Sequence, residues 1–424
     1  MTSAEPKEQP PKPDFRNLLL TLYLPAISMG LGLGITVPVI PQLTRELGVE
    51  LEAAVLVFVF QQLGTFAAPL PTGYLIDRIG RRRVLLAGPL ITAVASLLVA
   101  KVAIDGTFTE LLFYRFLAGW GEQMWLMSRI TVIADTGASS QRGKQVTSMF
   151  GVQQVGNLSG PVIGGFAAVL WGLWTPFVMH AVIVAVAVIP SFYLLRETAP
   201  PRTGARPQGA AGEAAGWRNM LAAPIPAVFA VQFLANVTRG GVFGGGVIVT
   251  YAAFTYNIAP DELGLLRGAM AALGIPIVFA VGYVMDRFGR KYTIIPGLLL
   301  CTGSMLFLSA TAYLDASFAW FVAAFVAIHM SVNVISGNMQ TLGTDVAPPD
   351  ARGVFFGASR TIAQGGSTLS PASFGLFAGL ASAGAGFIFL GSTAFVGGLI
   401  AIFLIPETLR RGEAGAVQPA QVRG

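Results

Sequence analysis

Residues 84–100, VLLAGPLITAVASLLVA, run for seventeen positions without a charge, and residues 386–406, GFIFLGSTAFVGGLIAIFLIP, for twenty-one. Nothing else in the chain limits its folding as strongly. About 20 apolar residues rising 1.5 Å each cross a hydrocarbon core of ~30 Å. Lipid offers no water to an open strand edge, so a segment crossing alone must close its own backbone hydrogen bonds as a helix. Only 11% of the 424 residues are charged, against roughly 25% in soluble domains. A soluble globular chain is excluded.

The same pattern predicts twelve spans, at 18–43, 53–76, 84–104, 109–134, 145–171, 175–195, 223–250, 264–285, 292–314, 318–344, 354–380 and 386–406. The segment 196–219, RETAPPRTGARPQGAAGEAAGWRN, is too rich in Pro, Gly, Ala and Arg to bury much and is a linker. The expected organisation is a cytosolic tail (1–17), a six-helix bundle (18–196), a cytosolic linker (197–222), a second six-helix bundle (223–408) and a cytosolic tail (409–424). The first apolar segment is too long for a signal-peptide core and stays as a membrane helix. With the N-terminus inside, 20 of the 27 Lys and Arg fall in inside segments, and three (Arg45, with Lys101 and Arg267 at the margin) fall outside. That asymmetry places both termini in the cytoplasm, in a multi-pass protein of the cell (inner) membrane. It also accounts for the basic balance without a nucleic acid partner.

Two charged turns interrupt the apolar chain: GYLIDRIGRRR at 73–83 and GYVMDRFGRKY at 282–292, 209 residues apart. At an offset of 210, Asp105 matches Asp315, Asp135 matches Asp345, and Arg142-Gly143 matches Arg352-Gly353. Gln154, Gly156, Pro161 and Gly165 match Gln364, Gly366, Pro371 and Gly375, and Glu197-Thr198 matches Glu407-Thr408. The chain is therefore an internal repeat of two parallel six-helix units, the design that lets a site between the units open to either side.

At these residues the chain resembles the major facilitator superfamily over essentially its whole length. Gly73, Asp77, Arg78, Gly80 and Arg81 fit that superfamily's signature turn, and Gly282, Asp286, Arg287, Gly289 and Arg290 fit its second copy. The resemblance implies a cytosolic gate, in which Gly73 and Gly282 permit close helix approach and the two Asp residues meet a helix N-terminus or an Arg when that side is closed. Simple positive-inside turns would not require those Gly and Asp positions. In the fifth span, Gly156, Gly160, Pro161, Gly164 and Gly165 give small residues at helical spacing. They resemble the motif that the twelve-helix drug:proton antiporter family places between its halves; a generic packing helix is the plainer reading.

The fourth span carries Arg115, Glu122 and Arg129 at sevenfold spacing, hence on one face and about 10.5 Å apart. Partners for them must come from other helices or from water. An ionised carboxylate at this depth costs several kcal/mol unless paired. A carboxyl group so placed is what a proton carrier requires, with Arg115 and Arg129 as tuning partners; a structural Glu–Arg pair is the competing reading. The first span has no acid at Ile27-Ser28-Met29-Gly30, where some antiporters of the family carry one.

Arg239 stands mid-way along the seventh span, after Gln232 and Asn236, and His329, Asn333 and Gln340 lie on the tenth. In the family, spans one, four, seven and ten line the central cavity, which makes these six residues substrate-binding candidates. Surplus positive charge there favours an anionic substrate; bonding of Arg239 and Arg360 to carbonyls beside glycines is the alternative. Trp120, Trp125, Phe243, Phe254 and Phe325 are candidates for apolar wall.

Cys301 is the one cysteine, and His180 and His329 sit on different spans, so no disulfide, metal site or catalytic triad is expected. Gly241-Val-Phe-Gly244 follows no strand and is no phosphate cradle. The expected protein is no enzyme and binds no cofactor; it is driven by an ion (proton) gradient, and its partners are the lipid bilayer, protons and a small molecule. The first functional expectation is proton-coupled efflux of small amphiphilic compounds by a monomer, and the alternative is a facilitator or symporter of an organic anion.

Overall fold

Proline and charge set the span boundaries. The computed structural model describes residues 23–136, 142–194, 222–243, 246–348 and 352–408, without the side chains of Asp77, Phe243 and Gln340 among others. Both tails, nearly all of the linker and Asp135, Arg142 and Glu197 as side chains lie outside the described set. The described helices form twelve spans. Span 1 is Leu24–Thr36 continued by Ile40–Glu46, the break falling at Pro38. Span 2 is Leu51–Ala54, Leu56–Ala67 and Pro69–Ile79. Spans 3 to 6 are Arg81–Asp105, Phe108–Thr136, Arg142–Trp171 and Thr175–Leu194. Span 7 is Ile225–Phe243 and Val247–Tyr256, and spans 8 to 12 are Pro260–Phe288, Lys291–Tyr313, Phe318–Val346, Arg352–Leu380 and Ala383–Leu404. Prolines head several of these pieces, where the missing N–H would have been unsatisfied anyway.

Helix ends are longer than hydropathy alone predicts. Span 4 begins at Phe108 because Thr107 and Glu110 form a capping box: the Thr107 N–H and hydroxyl both donate to Glu110 Oε2, at 2.8 and 2.9 Å. Span 8 begins at Pro260, four residues before the hydropathy boundary, with Asp261 and Glu262 in its first turn. Arg267, expected at the membrane margin, therefore sits two turns inside a helix.

The repeat is visible in the packing. In the first half, span 1 packs on 5 and 6, span 3 on 4 and 6, and span 2 on 4; in the second, span 7 packs on 11 and 12, span 9 on 10 and 12, and span 8 on 10. Details recur as well. Arg78 donates to the Tyr74 hydroxyl at 2.7 Å and Arg287 to that of Tyr283 at 2.9 Å. Arg82 donates to Phe192 O and Lys291 to Ile402 O, at 2.7 and 2.6 Å, each tying the turn to the last span of its own half. Gly80 and Gly289, at φ 94° and 115°, hold the left-handed conformation that starts spans 3 and 9. The halves meet crosswise, span 5 on span 8 and span 2 on span 11.

Candidate functional site

In the first half, Arg115, Glu122 and Arg129 are 2%, 5% and 3% exposed, on one face of span 4. The partner from another helix is Gln61 of span 2. Arg115 Nη2 donates to Gln61 Oε1, and Gln61 Nε2 donates to Glu122 Oε2 at 3.2 Å. Chemistry sets the amide's orientation. A guanidinium only donates, so it takes the amide oxygen, and the amide nitrogen is left facing the carboxylate. Glu122 Oε1 is buried with no hydrogen-bond partner among the described residues. Spans 2 and 4 approach closely enough for this bridge because a Cβ on Gly119 would strike the Gln61 backbone carbonyl, and one on Gly64 that of Phe116. Gln61 was missed in the sequence, although a Gln-Gln pair inside a charge-free span was the available signal.

Beside this cluster, His180 of span 6 bonds Ser96 Oγ of span 3 through Nδ1 at 3.0 Å, its ring lying over Gly32 of span 1. Arg129 stacks on Trp125, 5.5 Å from the ring centroid. Trp125 and Phe325, candidates for cavity wall, are core residues at 1% and 0% exposure.

The second-half candidates fall into two groups. Asn236 is buried beneath Gly366 of span 11, accepts from Arg239 Nη1 at 3.4 Å and donates to Gln232 O at 2.7 Å. His329 meets Phe325 edge to face at 4.7 Å, and the Asn333 amide lies against Gly274 of span 8. Arg267 lies seven residues before Gly274 and so turns toward the same span 10. Gln340 lies outside the described side chains.

The glycine motif of span 5 serves two partners. Gly156, Gly160 and Gly164 pack on Leu31, Gly34 and Ile35 of span 1, within the first half. Only Pro161 and Gly165 face the other half, against Gly264 and against Pro260-Asp261 of span 8. Between spans 2 and 11, Gln364 Nε2 donates to Gln62 Oε1 at 3.0 Å and Thr65 Oγ1 at 2.8 Å.

The two faces of the molecule differ. On the face opposite the charged turns, Arg45 of span 1 crosses to span 7, where it donates to Ala253 O and, at 2.6 Å, to Asn257 Oδ1, with its guanidinium 5.3 Å from the Phe254 centroid. At the charged turns the halves stand apart. A Cβ on Gly73, Gly151 or Gly282 would meet no atom of the described residues within 4 Å, and Tyr74 and Tyr283 are 60% and 64% exposed. Gly73 and Gly282 thus make no close helix contact among the described residues in this conformation. The second turn is tied within its own half: Arg290 Nε donates to Asp345 Oδ2 at 3.0 Å, and the Glu407 carboxylate accepts from the Arg290 and Lys291 N–H groups at 2.9 and 3.0 Å. Asp286 approaches Arg290 at 3.8 Å on the exposed surface.

Two equivalent six-helix bundles, closed on one face and parted on the other around buried polar clusters, define a membrane transporter of the two-bundle kind. The chain superposes on a D-xylose-proton symporter with a TM-score of 0.72, covering 93% of this chain and 98% of that one at 18% identity. It superposes on the human organic anion transporter MFSD10 with a TM-score of 0.64 at 16% identity, covering 93% of this chain and all of that one. At such identities the likeness is one of fold. The Major Facilitator Superfamily profile matches residues 22–244 and 228–422, and the chain belongs to that family. Among its relatives, multidrug resistance protein MdtL of Klebsiella pneumoniae is 27% identical over 281 residues, 64% of this chain and 66% of that protein, just under two thirds of its length. Multidrug resistance protein 1 of Bacillus subtilis is 26% identical over 305 residues, 70% of this chain and 75% of that protein. The class B tetracycline resistance protein of Escherichia coli is 27% identical over 289 residues, 66% and 69% of the two chains.

Proposed function

We propose that the protein exports small amphiphilic compounds across the cell membrane in exchange for protons, by alternating access of a site between its halves. The reading rests on one observation: Glu122, an acid buried at mid-span and held by Gln61, which Arg115 holds in turn. No other acid among the described residues lies more than about a turn from a span end. Protonation of Glu122 removes the charge that Gln61 and Arg115 compensate, and deprotonation restores it, so occupancy of this carboxyl by a proton is coupled to the packing of spans 2 and 4. Arg129, one heptad further along, adds positive potential on the same face. With the charged turns cytosolic, as the Lys and Arg asymmetry requires, the conformation is open to the cytoplasm and Arg45 closes the outside. Relatives named for multidrug and tetracycline resistance support export, since a transporter confers resistance by carrying the compound out of the cell.

The test is Glu122→Gln, which mimics the protonated state in shape. In proteoliposomes, substrate counterflow without a gradient is expected to persist while acceleration by a pH gradient disappears. Unchanged acceleration removes Glu122 from the coupling site.

A further inference from the structure

The two charged turns share a frame, but the first carries side chains that the second lacks. Arg82 donates to Phe192 O of span 6 at 2.7 Å, and its guanidinium lies 5.5 Å from the Phe192 ring centroid. Its repeat partner Lys291 makes the same bond to Ile402 O. One position on, the first turn has Arg83 where the second has Tyr292, and Phe192 stands where the second half has Ile402. Positive-inside topology asks for charge in both turns. It does not ask for a second guanidinium near an aromatic ring in one of them.

These residues enclose space. Ile79, Gly80, Arg82, Arg83, Leu86 and Phe192 line a cavity of about 560 Å³ between the first turn and the end of span 6. Arg83 is exposed and bonds no described residue. The cavity leads onto an apolar surface. From Leu86, the exposed side chains of Leu90, Val94 and Leu97 follow at steps of four, four and three, which is one face of span 3. From Phe192, exposed Ile189, Val186 and Val182 run back along span 6, which packs on span 3. The eleven steps from Leu86 to Leu97 rise about 16.5 Å, close to the ~15 Å hydrocarbon depth of one leaflet. A basic mouth at the level of the charged turns thus continues into an apolar track one leaflet deep.

We propose that this cavity holds the headgroup of an acidic phospholipid from the leaflet facing the charged turns. Arg83 and Arg82 take the phosphodiester, and the exposed ridges of spans 3 and 6 take an acyl chain. A guanidinium fork matches two phosphate oxygens, and a basic pocket between membrane helices at this level suits an anionic headgroup. A zwitterionic lipid offers the same phosphate and chains but brings its own cation to a site that already holds two. A free phosphate offers the charge and no chain for the ridges. The whole site belongs to the first half and lies apart from the space between the halves, so it does not depend on the export reading.

Native mass spectrometry of the purified full-length protein tests this, with separate titrations of dioleoylphosphatidylglycerol, dioleoylphosphatidylcholine and inorganic phosphate. Wild type is expected to bind phosphatidylglycerol about tenfold or more tightly than phosphatidylcholine. Arg83→Gln leaves the bond from Arg82 to span 6 in place and is expected to cut that preference to about threefold or less; Arg83→Lys keeps part of it. Arg82→Gln combined with Arg83→Gln is expected to abolish it. Arg287→Gln, which removes an arginine of the second turn, is expected to keep the full preference. Equal affinity of wild type for the two lipids, or a preference that survives the double substitution, overturns the proposal. So does a loss as large in Arg287→Gln as in Arg83→Gln, which would mark general surface charge. Inorganic phosphate binding as tightly as phosphatidylglycerol would mark a free-anion site and overturns it too.

Discussion

Arg45→Ala tests whether the closed face is held by one side chain. The guanidinium caps the C-terminal end of the helix Val247–Tyr256: it takes the Ala253 carbonyl in the last turn, and also Asn257, whose φ of 54° ends the helix in the left-handed conformation. The last turn of a helix leaves carbonyls without intrahelical donors, and its dipole favours a cation there. Here that cation comes from the opposite half, so the cap exists only while this face is shut. Arg45 is half-buried and Asn257 exposed, and truncation of the long side chain that covers the Ala253 carbonyl lets water in, so its loss costs the net value of the bonds and not a full desolvation penalty. Screened by water at this half-exposed site, the two bonds contribute about 0.75 kcal/mol each and the contact with Phe254 about 0.5 kcal/mol, together about 2 kcal/mol. That corresponds to roughly a thirtyfold shift of the equilibrium between the faces. Spin labels on cysteines at the exposed positions Glu46 and Glu262 report the separation of the halves on this side, while native Cys301 is buried and stays unlabelled. Arg45→Ala is expected to add a longer-distance population that wild type lacks, and Arg45→Lys a smaller one. A distance distribution unchanged by Arg45→Ala, with an unchanged melting temperature, refutes the latch.

Gln61→Leu removes the amide between Arg115 and Glu122 and is expected to destabilise the first half by about 1.5–3 kcal/mol, seen as a lower melting temperature in detergent. Gly160→Val places a side chain on Gly34 of span 1 and is expected to cost about 1–3 kcal/mol by overpacking, with loss of folded protein on size-exclusion chromatography as the readout. Glu407→Ala uncaps the first turn of span 9 and is expected to cost about 1 kcal/mol; protection of the Arg290 and Lys291 amides from hydrogen exchange checks it. Gln364→Leu cuts the tie to Gln62 and Thr65 between spans 2 and 11 and is expected to change transport rate more than melting temperature, because the bond joins the halves and not the core of either.

Span number, the repeat and the polar face of span 4 were legible because each depends on local pattern. Charge-free length marks a helix in lipid, and sevenfold spacing puts Arg115, Glu122 and Arg129 on one face wherever that helix goes. What the pattern could not give was the neighbour. Gln61 is one of two adjacent glutamines, and only the crossing of spans 2 and 4 at Gly64 and Gly119 decides that Gln61 turns to Glu122 while Gln62 turns to the other half. The division of the span 5 glycines between spans 1 and 8 was hidden for the same reason, since small residues permit an approach without naming the helix that makes it. The start of span 8 was placed four residues late because hydropathy draws a boundary where apolar residues begin, whereas the helix begins at Pro260 with acids in its first turn.

The repeat then makes the differences between the halves informative. Both charged turns share the left-handed glycine, the Tyr–Arg bond and the tie to the last span of their half, so the frame has been kept. The interiors have not. In the first, Gln61 joins an arginine to an acid through a bridge contained in the bundle; in the second, Arg239 bonds Asn236 and Thr293 bonds Asn338, and the acids among the described residues stand within about a turn of the span ends. Coupling needs two ligands with different preferences for the two conformations. A change of charge at Glu122 acts within the first bundle and reaches the second only through the interface between them. That interface is the one where Arg45, Gln364 and Pro161 touch the opposite half.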